Sequence, residues 1–225
     1  MERHHFEDEL KVLKQRLLHM GALVEEHVHQ AINALMERRL DFAEQVAASD
    51  KEVNDLQIEI DDRALKLLAL QNPLATDLRL ITAAMKINAD LERIGDQAVN
   101  IAENVTKILR HPPLQPVINL SRMAQIAEGM THDALDSFVR KDIVLARAVL
   151  ERDDEVDQLK DHVFRVLLTY MMADPGTIER ALALILISRN LERIADHSTN
   201  IAEDVIFLVE AKDVRHHHET EEARK

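Results

Sequence analysis

The sequence predicts an all-α protein built as two tandem, pseudo-symmetric three-helix bundles, six long antiparallel helices in all. Three observations predict it. One stretch occurs twice: Leu91-Glu92-Arg93-Ile94-Gly95-Asp96 runs on through Asn100-Ile101-Ala102-Glu103, and one hundred residues later Leu191-Glu192-Arg193-Ile194-Ala195-Asp196 runs on through Asn200-Ile201-Ala202-Glu203. A gapless repeat of this length marks two copies of one structural unit. The composition favours helix: aromatics are 3% and glycines 4 of 225 residues, while Leu, Ala, Ile, Val, Glu, Asp and Arg dominate, a set poor in strand formers. The five prolines fall in three places, Pro73, then Pro112-Pro113 with Pro116, then Pro175, and proline ends helices, so these places cut an otherwise helical chain.

Each helix has its own apolar seam at alternating spacings of three and four. The first carries Phe6, Leu10, Leu13, Leu17, Met20, Val24, His27, Ala31 and Ala34, and a break near Arg39 to Asp41 starts the second. That one uses Val46, Val53, Leu56, Ile60 and Leu67, ending at a turn centred near Asn72-Pro73. The third uses Leu80, Ala84, Ile87, Leu91, Ile94, Ala98, Ile101, Val105 and Ile108. At about 1.5 Å per residue such helices are rods of roughly 50 Å. Arg110 to Pro116 is a short linker stiffened by proline, which predicts halves packed on each other. The fourth helix uses Leu120, Met123, Ala127, Met130, Ala134 and Phe138. The fifth uses Val156, Leu159, Val163, Val166, Tyr170 and Ala173, with Met171 and Met172 as core filler. The sixth uses Leu184, Ile187, Leu191, Ile194, Ser198, Ile201, Val205 and Leu208. The units are residues 1–110 and 117–212, followed by a polar tail, 213–225. The duplication extends to the second helix of each unit, where Asp50-Lys51-Glu52-Val53-Asn54-Asp55-Leu56 matches Asp153 to Leu159 at an offset of 103.

Composition also excludes several classes. The net charge of −13 without a Lys/Arg stripe argues against nucleic-acid binding. The absence of cysteine excludes disulfides and thiolate metal sites, and agrees with a cytoplasmic location. The N-terminus has no apolar secretory region, and the longest apolar run, Ala181 to Ile187, is too short to span a bilayer. No nucleophile–base pair or glycine-rich phosphate loop is present.

The residues that carry chemistry are acidic. Glu92 and Asp96 share a helix face, off the seam. Counting equally back and forward from the turn brings Asp50 and Asn54 level with them, and Asn100 lies one turn away. The second half repeats this with Asp153, Asp157, Glu192, Asp196 and Asn200. Clustered carboxylates repel, and a cation relieves the repulsion. An all-oxygen donor set suits hard ions such as Mg²⁺, Mn²⁺, Ca²⁺ or ferric iron. The alternative is a solvated face, with Arg93 three residues from Asp90 and Asp96 and Arg193 three from Asp196. Other candidates are weaker. Glu26-x-x-His29 lacks the second motif that carboxylate di-iron bundles need. His27 lies on a seam and reads as a packed histidine. His216-His217-His218 read as solvated tail. Gly95, mid-helix, is explained by a close helix approach at the acidic cluster.

Asp90-Leu-Glu-Arg-Ile-Gly-Asp96, Pro73-x-Ala75-x-Asp77-Leu78-Arg79-Leu80, Leu168-Thr-Tyr-Met-Met172 and Asn190-Leu-Glu-Arg-Ile-Ala-Asp196 resemble the PhoU family of bacterial phosphate-uptake regulators, over nearly the whole chain. The resemblance implies two tandem three-helix bundles. It also implies a Glu/Asp-x-x-x-Asp signature that holds metal clusters in some members, falling here on Asp50 with Asn54, Glu92 with Asp96, Asp153 with Asp157 and Glu192 with Asp196. Asn54 departs from a strict acidic pair, and Ala195 stands where Gly is usual. The metals so implied are iron, manganese, magnesium or zinc on oxygen ligands. The role implied is a non-enzymatic negative regulator of phosphate uptake and the phosphate-starvation response, an adaptor between a phosphate ABC transporter ATPase and a sensor histidine kinase. Such a protein works as a homodimer in the cytoplasm and reaches the membrane only through partners. The alternative is a metal-storage or metal-dependent helical bundle using the acidic clusters.

Overall fold

The computed structural model describes residues 2–71, 73–114 and 120–214. Asn72, the Gln115–Pro116 end of the linker, residue 117 at the expected start of the second unit, and residues 215–225 with the three tail histidines lie outside the described residues.

The described residues are helical throughout apart from turns. The helices are α1 (Glu2–Glu37), α2 (Leu40–Gln71), α3 (Ala75–Leu109), α4 (Ser121–Arg140), α5 (Ile143–Leu150), α6 (Asp153–Ala173) and α7 (Ile178–Glu210), with a short 3₁₀ turn at Pro175–Thr177. Among the described residues seven α-helices stand where six were predicted, because one predicted helix is interrupted locally. At an offset of 103, α2 corresponds to residues 143–174, the span of α5 and α6 together. The chain tightens between them, where the Arg152 amide donates to the Val149 carbonyl (3.1 Å) and the Glu155 amide to the Arg152 carbonyl (3.2 Å). These i−3 bonds interrupt the α-helical ladder. Three helices end without glycine on a left-handed residue or lead into one: Arg38 (φ 55°), Lys141 (φ 54°) and Ala211 (φ 56°).

The seams of α1, α2, α3, α4 and α7 are buried as their periodicity predicts; Leu13, Leu17, Ile60, Ile87, Leu91, Ile94, Met130, Leu191 and Ile194 are each fully buried or nearly so. On α6 the phase differs. Val156, Val163 and Leu167 are buried, while Ala173 is exposed and Met172 is 79% exposed. Only Met171 of the methionine pair packs against the core. The buried column of α6 thus turns by one residue after Val163, leaving Phe164, Leu168 and Met172 facing out.

One hydrophobic core runs through both halves. The two central helices, α3 and α7, lie antiparallel against each other, and α1 of the first half also meets α4 of the second. Arg38 and Arg180 close the end of the molecule near the linker by donating to the His111 carbonyl (2.8 Å) and the Pro112 carbonyl (3.1 Å). Among the described residues no helix is long and apolar enough to cross a membrane.

Candidate functional site

The acidic side chains assemble at the heights predicted from the turns. In the first half Gly95 of α3 faces Val53 of α2, so Asp50, Asn54, Glu92 and Asp96 gather beside that contact. A Cβ added at Gly95 would stand 3.5 Å from Val53 and 3.8 Å from Val24, ordinary van der Waals distances. Close approach therefore does not require the glycine, contrary to the expectation; Ala195 fills the matching place in α7 without exposure. Asn54 Nδ2 donates to Asp50 Oδ2 at 2.9 Å. Burial first, then the neighbouring Asp96, push the Glu92 carboxyl above the ordinary range. Burial and Asp50 do the same to Asp96.

The second half differs at its centre. Lys160 of α6 donates to Asp157 Oδ1 at 2.8 Å and across to Glu192 Oε1 of α7 at 2.9 Å. These two bonds hold the ammonium well above its ordinary pKa. Burial and then Asp157 raise Asp153. Burial, then Glu192, Asp153 and Asp157, push the Asp196 carboxyl up to about 6. The solvated-face reading thus holds in part, with the lysine as the cation: among the described residues no ion pair joins Arg93 to Asp90 or Asp96, or Arg193 to Asp196.

The two asparagines one turn away have different surroundings. Asn200 turns to the other half and donates from Nδ2 to Asp90 Oδ1 at 3.1 Å. Asn100 is exposed, and its backbone carbonyl accepts from Asn104 Nδ2 at 2.7 Å. By donor chemistry the first cluster suits a hard cation. By geometry, among the described residues no group of three or more Asp, Glu or His side chains is arranged to hold a metal ion. Asn54 already ties up Asp50, and Lys160 ties up Asp157 and Glu192. Neither cluster, as folded, is a preformed metal cage.

The seam between the halves carries polar chemistry that sequence reasoning missed. Buried Asp90 of α3 accepts from Asn200 and meets His197 Nδ1 of α7 at 2.9 Å. Lys86 donates to buried Asp204 at 2.8 Å. Along α1 and α4 the same pair is made twice: His29 Nδ1 lies 2.6 Å from Glu128, and His132 Nδ1 lies 2.8 Å from Glu25. The repeat offset of 103 relates His29 to His132 and Glu25 to Glu128, so these are reciprocal contacts about a pseudo-two-fold axis. They, and not Glu26 with His29, are the paired Glu/His feature; Glu26 accepts from Gln30 instead. The i, i+4 spacing within each helix is visible in the sequence, but its cross-helix pairing is not. His27 is 2% exposed and bonds Ser49 Oγ at 2.7 Å, a packed histidine as its seam position predicts.

The raised carboxyls make a pH prediction. With its carboxyl pushed up to about 6 from an ordinary 3.8, Asp196 keeps its proton between these values in the folded state. Stability therefore falls as pH rises through that window, and the full penalty stands above about pH 6. The Asp196 side chain still reaches solvent, so screening reduces the penalty to about 1 kcal/mol or less. Asp196→Asn is expected to raise the melting temperature at pH 7.5 and leave it unchanged at pH 4. Equal shifts at both pH values would show that charge repulsion at Asp196 plays no part.

Comparison with known proteins follows this geometry. A family model described as the PhoU domain matches residues 17–105 and again 120–205. The chain is 40% identical to the phosphate-specific transport system accessory protein PhoU homolog of Aquifex aeolicus, over 93% of this chain and 95% of that protein. It is also 40% identical to the homolog from Pseudomonas putida, over 94% of this chain and 83% of that one. The crystal structure of PhoU from Pseudomonas aeruginosa superposes with a TM-score of 0.89 at 39% identity, covering 92% of this chain and 100% of that one. The phosphate transport system regulatory protein PhoU from Streptococcus pneumoniae superposes with a TM-score of 0.83 at 29% identity, covering 93% and 99%.

Proposed function

The chain belongs to the PhoU family, and from that premise we propose that it is a non-enzymatic accessory regulator of a phosphate-specific transport system, a negative regulator of phosphate uptake and of the phosphate-starvation response. Its role is that of an adaptor between the transporter ATPase and a sensor histidine kinase, in the cytoplasm. The observation that carries the reading is the match in both repeats and over nearly the full length to proteins named as phosphate-transport accessory proteins. The chemistry of the surface is compatible. A net charge of −13 on long rigid helices suits docking against basic cytoplasmic loops or domains. A homodimer is part of the reading. Phe164, Leu168 and Met172 on α6 and Ile178, Leu182 and Leu186 on α7 stay exposed along one hairpin, and Ile58 and Leu65 stay exposed on α2; a monomer mass in light scattering excludes the dimer. The metal-storage alternative has less support, because among the described residues no three Asp, Glu or His side chains are grouped to hold a metal ion.

Deleting the gene in its host and assaying a phosphate-starvation reporter in high phosphate tests the reading. Constitutively high phosphatase activity is expected. Normal repression, with no second copy of the gene, overturns it.

A further inference from the structure

We infer that the ε-ammonium of Lys160 is the resident cation of the second acidic cluster, standing where a metal ion would otherwise be held, so that the second half of the molecule takes no metal. The family resemblance implies equivalent metal sites in both repeats, and the second half differs from the first in holding a lysine within its cluster. Lys160 sits between the two helices that supply the cluster, 2.8 Å from Asp157 on α6 and 2.9 Å from Glu192 on α7. Its side chain is only 25% exposed. An ion pair confined to one helix would be an ordinary surface feature. This one crosses to the second helix and engages a carboxylate from each, as a bridging metal would.

The repeat explains the difference between the halves. At the offset of 103 the first-half counterpart of Lys160 is Gln57, and the counterpart of Asp157 is Asn54. The first cluster has three carboxylates, Asp50, Glu92 and Asp96, and the amide of Asn54, with Gln57 at the lysine's place in the repeat. The second has four carboxylates, Asp153, Asp157, Glu192 and Asp196, and one ammonium. Both clusters therefore carry the same net charge of −3, and the fourth carboxylate and the lysine arrive together. A lysine is a compact point charge with three donors, so it can neutralise several oxygens without ordered coordination geometry. A divalent ion entering this cluster meets that ammonium first and must displace it from both partners.

The inference does not depend on the regulatory reading, and its test needs no phosphate response. Mn²⁺ binding to the full-length chain is measured by calorimetry, and retained metal by dialysis with elemental analysis, for the wild type, Lys160→Gln and Lys160→Arg. Lys160→Gln installs the residue that the first repeat folds with. It is expected to bind one more Mn²⁺ per chain than the wild type, or to bind at least ten-fold tighter, and to lose that gain when Asp196→Asn is added. Lys160→Arg keeps the cation and is expected to behave as the wild type. Equal Mn²⁺ stoichiometry and affinity in the wild type and Lys160→Gln, including none in either, overturns the inference. So does an extra ion bound by Lys160→Arg, which also decides the matter should the glutamine variant fail to fold.

Discussion

Asp90→Ala is expected to cost about 2–3 kcal/mol of folding stability, because it removes a buried acceptor shared by two donors of the other half. Asp90 is 8% exposed on the central helix α3 and receives both His197 and Asn200 from α7. A carboxylate only accepts, so His197 carries its proton on Nδ1 when it bonds an ionised Asp90. Truncation strands the His197 donor, whose side chain is 15% exposed. Asn200 reaches water and loses less. The repeat supplies a control. The counterpart of Asp90 is Asn190, that of His197 is Gln97, and that of Asn200 is Asn100. The mirror contact is not made: buried Gln97 leaves its Oε1 without a partner. The halves are thus joined here by one asymmetric pair of bonds to Asp90, without the equivalent pair on the other side. Asp90→Asn keeps one acceptor oxygen and is expected to cost about 1 kcal/mol. Urea denaturation of both variants checks this. Losses below about 0.5 kcal/mol for the alanine variant would show that water replaces the carboxylate freely.

Much of this arrangement is legible in the residues, and the illegible parts have physical causes. The phases of α1, α3 and α7 can be read because each has one apolar column and a polar remainder, so the buried face is the only choice. On α6 two columns compete: Val166 and Tyr170 continue the seam as plausibly as Leu167 does, and the choice falls to the neighbouring helices. The height of the acidic clusters can be counted from the prolines because hairpin helices pair level by level. Lys160 escapes that reading because a lysine on a helix surface reads as solvated charge; only its place opposite Gln57 in the repeat marks it. Asp90, His197 and the reciprocal His–Glu pairs escape it for a different reason. They depend on how one repeat is set against the other, and the sequence of neither repeat specifies that register.

That register decides whether the two repeats are separate folding units, and Ile94→Ala tests it. Ile94 is fully buried on α3, and truncating a buried Ile costs about 3–4 kcal/mol through lost transfer energy and the cavity left behind. In a pair of independent bundles this loss would lower the first transition and leave the second in place. The core argues otherwise. α3 packs against α1 and α2 in its own half and against α7 of the other, while α7 packs against α4, α5 and α6 as well as α3. Melting the first half alone would strip α7 of its largest neighbour, taking Lys86 from buried Asp204 and Asp90 from His197 and Asn200. Neither half retains a complete core once the other is gone, so the molecule should unfold as one cooperative unit. Ile94→Ala is accordingly expected to shift the whole helical signal, with the denaturant slope unchanged and calorimetric and van't Hoff enthalpies still equal. Loss of about half the signal in an early step, with the remainder melting at the wild-type midpoint, would establish the repeats as autonomous and the α3–α7 seam as a docking contact and not a shared core.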